Sequence, residues 1–238
     1  IKNITLHENI EYLGGGAFAL TNAESAIIPK GITTTPGVIF YDSDTLKRVE
    51  FLGEITEIGS MAFCGCTNLT DVIFTGKVKS VGDRAFSNCS LFDSPIDLED
   101  AVYIGEYAFQ KCERLNLTAM PTKTCTFGEY AFYKSGLSGK LDIPESSKLY
   151  MHAFDECKGI TEVILGENTV VNFGGQIFKN CTGLEKVTVC DGVELYSGDF
   201  DGCSNLTELH FKNTSSPVNG LGKINENATI FGYKNSNA

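Results

Sequence analysis

Phenylalanine recurs along this chain at a nearly constant interval, and that interval restricts the fold more than any other feature. Rings in an Ala-Phe or similar pair stand at Phe18, Phe63, Phe86, Phe109, Phe132, Phe154, Phe178 and Phe200, spaced by 45, 23, 23, 23, 22, 24 and 22 residues. Phe40 falls near the middle of the first, double interval, so nine units of 22–24 residues run from about Tyr12 to about Lys212. A unit this short cannot bury its own apolar face, whereas stacked copies can, each covering the next.

Other positions keep the same phase. An apolar residue stands five before most of the rings (Leu13, Ile58, Val81, Ile104, Phe127, Leu149, Phe173, Leu195), usually followed by Gly, as at Gly59, Gly82, Gly105 and Gly128. Tyr150 and Tyr196 replace that Gly in two units. Further apolar residues follow at six, nine and eleven after the ring, as in Leu69, Val72 and Phe74, or Leu206, Leu209 and Phe211. The last part of this pattern alternates like a short strand with one buried face. The Ile-Gly-x-x-Ala-Phe part reads as a turn and a tight 3₁₀ or helical corner, where Gly supplies a backbone conformation that a Cβ resists. The predicted architecture is a repeat solenoid with a parallel β-sheet on one face and turns with short corners on the other. Nine rungs give a length of roughly 40 Å. Residues 1–238 form one domain, with 213–238 a partial closing unit.

Composition narrows the function. Hydrophobic content of 42% and charged content of 21% fit a folded chain. A formal charge of −11 disfavours nucleic acid and anionic lipid, which are bound through Lys and Arg. No apolar run approaches the roughly 20 residues of a membrane-spanning helix. The chain begins at Ile1 and shows no signal-peptide pattern, so an export signal is not visible in it.

The segments IGSMAFCGCTNLTDVIF, VGDRAFSNCS, IGEYAFQKCERL and FGGQIFKNCTGLEKVTV closely resemble the BspA-like leucine-rich repeats, as do IIP (Ile27–Pro29) and LDIP (Leu141–Pro144) at strand ends. ATIFGYKNSNA resembles the closing motif of that family, cut short. The resemblance implies a leucine-rich-repeat-like solenoid that is secreted or held at a bacterial cell surface, with a role in adhesion to host or cell-surface macromolecules. A shared fold does not by itself establish function.

Motifs that suggest chemistry have plainer readings. The Cys-Gly-Cys of Cys64 and Cys66 looks like a chelate, but Cys66 belongs to a column with Cys89, Cys112, Cys157, Cys181 and Cys203, three residues after the ring in each unit. Ser135 interrupts that column. Stacked side chains point in parallel, so these thiols are expected to be reduced and buried as small hydrophobes. Cys64 occupies a slot filled elsewhere by polar residues and is expected to face outward, while Cys125 and Cys190 are off-phase. His7, His152 and His210 fall in different phases, with no Gly-x-Ser-x-Gly elbow. Gly14–Gly16 lacks the Gly-Lys-Ser/Thr of a phosphate loop, and Asp42–Asp44 lacks the later ligands of a calcium loop. Eight Asn-x-Ser/Thr sequons (Asn3, Asn68, Asn88, Asn116, Asn180, Asn205, Asn213, Asn227) arise mostly from the repeat itself. No catalytic residue, metal site or cofactor is expected.

One candidate surface remains. Strand residues between the buried ones should face outward: Arg48, Glu50, Asp71, Ile73, Asp97, Lys140, Asp142, Glu162, Ile164, Lys186, Thr188, Glu208 and His210. By resemblance this is the ligand face, and a merely solvated polar sheet is the competing reading. Tyr107 and Tyr130 share a phase on the turn side and could form an aromatic patch. The expected function is non-catalytic binding of a host extracellular or cell-surface protein or glycan by a monomeric module. The alternatives are a spacer presenting another domain, or a carbohydrate-active enzyme. A clustered pair of carboxylates in a pocket would favour the enzyme.

Overall fold

The computed structural model describes residues 2–172, 174–212, 218–219 and 224–232. Phe173 and Asn213 lie outside them, as does most of the 213–238 segment. The chain winds as a parallel β-solenoid of about ten turns, and among the described residues a full turn contributes to three walls.

The first wall holds the longer strands. Asn3–Thr5, Ser25–Ile28, Arg48–Phe51 and Asp71–Ile73 form one ladder, and Ile96–Asp97 pairs with Leu117–Ala119 in a second. Ser138–Ile143, Gly159–Leu165, Lys186–Val189, Glu208–Phe211 and Thr229–Gly232 form a third. Alternate residues point inward and are buried, among them Val49 and Phe51, Val163 and Leu165, Leu209 and Phe211. Asn3–Thr5 and Thr229–Gly232 each stack on a neighbour, so the coil continues past both ends of the nine Phe-centred units.

The apolar-Gly segments form a second wall, which is a sheet rather than a simple turn. Thr34–Thr35, Glu57–Ile58, Ser80–Val81, Tyr103–Ile104, Thr126–Phe127, Lys148–Leu149 and Val170–Val171 pair in parallel as seven consecutive strands. Two residues per strand suffice because rungs on both sides satisfy the same backbone groups.

The third wall is the Ala-Phe corner, and among the described residues it contains no helix or 3₁₀ segment. Left-handed residues two before and two after each ring prevent helical hydrogen bonding from propagating. In the Phe63 unit these are Met61 (φ 55°) and Gly65 (φ 79°); in the Phe109 unit they are Tyr107 (φ 54°) and Lys111 (φ 56°). Backbone N–H groups then alternate in direction. Ala62, Cys64 and Cys66 donate back to Gly59, Met61 and Phe63 in overlapping turns, whereas Met61, Phe63 and Gly65 donate to Asp83, Ala85 and Ser87 of the next rung. A left-handed non-glycine residue costs about 1–2 kcal/mol, and here most of them donate a backbone N–H to the next rung.

Inside the walls the repeated side chains form columns. Phe18, Phe40, Phe63, Phe86, Phe109, Phe132, Phe154, Phe178 and Phe200 stack in sequence, with neighbouring centroids 5.0–5.9 Å apart. All except Phe18, at the N-terminal end, are fully buried. This near-parallel spacing lies within the favoured range for aromatic pairs.

Candidate functional site: the long-strand face

All thirteen residues expected on the outward face lie on strands of the first wall. Interruptions in that wall divide them. In the N-terminal group Arg48 pairs in register with Asp71 and forms an ion pair with it, while Glu50 lies 3.5 Å from Arg48 and beside Ile73. Asp97 stands in the interrupted middle, where its carboxylate accepts the Glu99 N–H at 2.9 Å.

The C-terminal group is continuous. Lys140, Glu162, Lys186 and Glu208 occupy one row across four strands, with alternating charge. Lys140 lies 2.9 Å from Asp142, and Lys186 lies 3.9 Å from Glu208. The adjacent row reads Asp142, Ile164, Thr188, His210 and Phe231. His210 lies 2.9 Å from Glu208 and stacks on Phe231 at 4.4 Å. Exposed ion pairs like these contribute little stability, so their main effect is to pattern the surface.

Thr188 corrects the outward assignment. It is only 7% exposed, because Ile164 and His210 flank it in register and cover its short side chain. Phe231 and Ile230, exposed at 42% and 45%, are residues that the sequence reading missed. The available signal was Thr229–Gly232 following Glu208–Phe211 at the repeat interval.

The two interruptions differ. Between Asp71–Ile73 and Ile96–Asp97, Ser94 fills the gap, its hydroxyl 2.9 Å from both the Asp71 carboxylate and the Val72 carbonyl. Between Leu117–Ala119 and Ser138–Ile143 no strand pairing forms, and a cleft of about 450 Å³ opens there. Leu117, Thr118, Met120, Pro121, Lys140 and Asp142 help to line it. The local sequence accounts for this break. Thr118 replaces the usual apolar residue nine after the ring, and the Leu117–Ala119 register slips against Ile96–Asp97. Two adjoining strands are thus left with free edges on the candidate face.

On the corner wall, Tyr107 and Tyr130 do stack, at 5.0 Å, in a longer column. Arg84 covers Tyr107 at 4.7 Å, and His152 stacks on Tyr130 at 4.5 Å. His152 Nδ1 lies 2.9 Å from the buried Asp155 carboxylate, whose pKa burial raises. The ring faces are occupied by one another, which leaves only their edges to solvent.

Every cysteine is free, and among the described residues no group of side chains could hold a metal ion. The column thiols do more than fill space. Cys66, Cys89, Cys112, Cys157, Cys181 and Cys203 each point at the carbonyl of the Phe in the preceding rung, at 3.0–3.1 Å. Ser43 occupies the same position in the Phe40 unit and donates to the Phe18 carbonyl at 3.1 Å. In these seven units the position supplies a hydrogen-bond donor to the preceding rung, whereas the Ser135 hydroxyl lies 3.4 Å from Cys157 Sγ. Cys112→Ser is expected to be milder than Cys112→Ala, which should lose about 1–2 kcal/mol in urea unfolding. Equal losses would show the thiol to be filler. Burial raises these pKa values, that of Cys66 to about 12, so the thiols stay protonated and unreactive. Cys64 is the exception in exposure, being half-buried.

With its parallel strands, repeated inward Leu and Val, and regular rungs, the fold defines the class as a leucine-rich repeat solenoid. The family described as BspA type Leucine rich repeat region matches in six copies over residues 1–97, 94–207 and 125–228, and the chain belongs to that family. A crystal structure of a leucine rich cell surface protein from Faecalibacterium prausnitzii A2-165 is similar, with a TM-score of 0.54 and 16% identity over 100% of this chain and 89% of that one. A leucine-rich repeat protein from Bacteroides ovatus ATCC 8483 shows a TM-score of 0.41 and 14% identity over 97% of this chain and 83% of that one. No curated protein sequence matches. Among the described residues no helix is long and apolar enough to cross a membrane.

Proposed function

We propose that the chain is a non-catalytic binding module of a cell-surface or secreted protein, which engages a host or cell-surface macromolecule through its long-strand face. The observation that carries this reading is the open break between Leu117–Ala119 and Ser138–Ile143. Unpaired strand edges can accept an added strand from a partner, with main-chain hydrogen bonds supplying affinity and neighbouring side chains specificity. The alternating Lys140–Glu162–Lys186–Glu208 row begins at this cleft, so an extended protein segment lying there would meet charges of both signs. Membership of the family and similarity to a leucine rich cell surface protein support the location.

The test is capture from a panel of purified extracellular-matrix proteins and glycans. A variant combining Asp71→Lys, Glu162→Lys and Glu208→Lys should lose capture at least tenfold while remaining folded at the assay temperature, as a melting curve checks. The like charges it sets beside Arg48, Lys140 and Lys186 lower the melting temperature only modestly at these surface positions. Unchanged capture would refute the long-strand face as the binding surface. Failure of the unmodified chain to capture any ligand would favour a spacer.

A further inference from the structure

The second wall carries a feature unrelated to the long-strand face. Tyr103 and Tyr150 are each 39% exposed, and they stand on rungs separated by a single intervening rung. That intervening rung presents Thr126, which pairs with Tyr103 on one side and Lys148 on the other, and Gly128. Because the middle rung has small residues where its neighbours have tyrosines, a slot of about 220 Å³ opens between the two rings. Its lining is completed by Glu106 and Glu129, which occupy the same repeat position on adjacent rungs.

The slot is held in shape. The Tyr103 hydroxyl donates to the Asp83 carboxylate at 2.9 Å, and the same oxygen accepts the Glu106 backbone N–H at 3.0 Å. Burial, together with Asp83 and Glu106, pushes the Tyr103 hydroxyl up to about 12, so the ring stays neutral. Neither Glu106 nor Glu129 forms an ion pair among the described residues. Glu106 and Glu129 follow neighbouring strands at the same position of adjacent rungs, so their like charges repel, and neither has an ion-pair partner among the described residues beside Tyr103 and Tyr150. A cation would relieve that repulsion and gain cation–π attraction. A planar guanidinium suits the geometry better than an ammonium, because it both stacks on a ring and forks onto a carboxylate. The net charge of −11 adds long-range attraction for a basic partner.

We propose that the slot between Tyr103 and Tyr150 receives an arginine side chain from a basic segment of a partner protein, with Glu106 and Glu129 as its counter-ions. This does not depend on the long-strand face, and the two readings can fail separately.

Titration calorimetry with a hexa-arginine peptide at low ionic strength tests the proposal. Tyr150→Ala leaves the net charge unchanged and should weaken binding about two- to fivefold, while Tyr150→Phe should bind like the unmodified chain. Glu106→Gln combined with Glu129→Gln should weaken binding about tenfold or more. Glu167→Gln combined with Glu185→Gln, which removes the same charge at exposed sites elsewhere, should change it less than twofold. Thr126→Lys should abolish binding by placing the protein's own ammonium in the slot. Matched melting temperatures establish that each variant is folded. The proposal is overturned if Tyr150→Ala has no effect, if the control pair weakens binding as much as the slot pair, or if maltohexaose binds in preference to the peptide.

Discussion

Phe109→Ala should destabilise the protein by about 3–5 kcal/mol in urea unfolding. Phe109 is fully buried and stacks on Phe86 at 5.4 Å and Phe132 at 5.2 Å, so truncation opens a cavity facing both neighbouring rungs. In a repeat protein each rung is held mainly by the rungs beside it. A weakened interface at the centre of the column should therefore reduce cooperativity as well as stability, and the unfolding curve should broaden or divide in two. Phe18→Ala serves as the control. Phe18 is only partly buried and has a single ring neighbour in the column, Phe40 at 5.5 Å, so its loss should be less than half as large. A loss under about 1 kcal/mol at Phe109 would show that the strand ladders, and not the ring column, hold the rungs together.

The second large effect is expected at Gly105, for a steric reason. A Cβ there would lie 2.4 Å from the Asp83 side chain, 2.6 Å from the Asp83 nitrogen and 2.8 Å from the Gly82 carbonyl carbon. The Asp83 side chain can rotate away, but the backbone beneath cannot, so the rungs must separate. Gly105→Val should cost about 3 kcal/mol, the upper part of the range for overpacking. It should also displace Asp83 and loosen Tyr103. Gly14 holds the same repeat position on the Phe18 rung, where a Cβ would meet nothing within 4 Å. Gly14→Ala should thus be neutral to within about 0.5 kcal/mol. Equal effects at the two glycines would show that close approach of rungs is not what requires Gly here.

Much of the fold was readable before any coordinates. The inward positions followed from the repeat phase, because a residue recurring every 22–24 positions in a stacked coil always meets its own counterpart. Val72, Val163 and Leu209 are buried as the alternation requires. The corner was less legible. Nothing in the residue types at Met61, Arg84, Tyr107, Tyr130 and His152 announces a left-handed backbone, since none is Gly or Asn. At Met61, Arg84, Tyr107 and Tyr130 the left-handed residue donates its N–H to the next rung, a contact between residues 21–22 apart. The cysteine column was located correctly in sequence but understood only in part, because its partner is the main-chain carbonyl of the preceding rung.

The candidate sites divide along the same line. Strand alternation placed the outward residues of the long-strand face, apart from Thr188, which its neighbours in register cover. The cleft beside Lys140 and the slot between Tyr103 and Tyr150 had no comparable signal. The sequence by itself determined the repeat, the parallel coil and the identity of the buried columns, because these follow from period and side-chain type. Only the tertiary structure decided where the ladders break and which surface groups converge, because those depend on the register between rungs. A slip in register there separates paired edges, and small residues on one rung between two tyrosine-bearing rungs open a space, without changing the hydrophobic pattern.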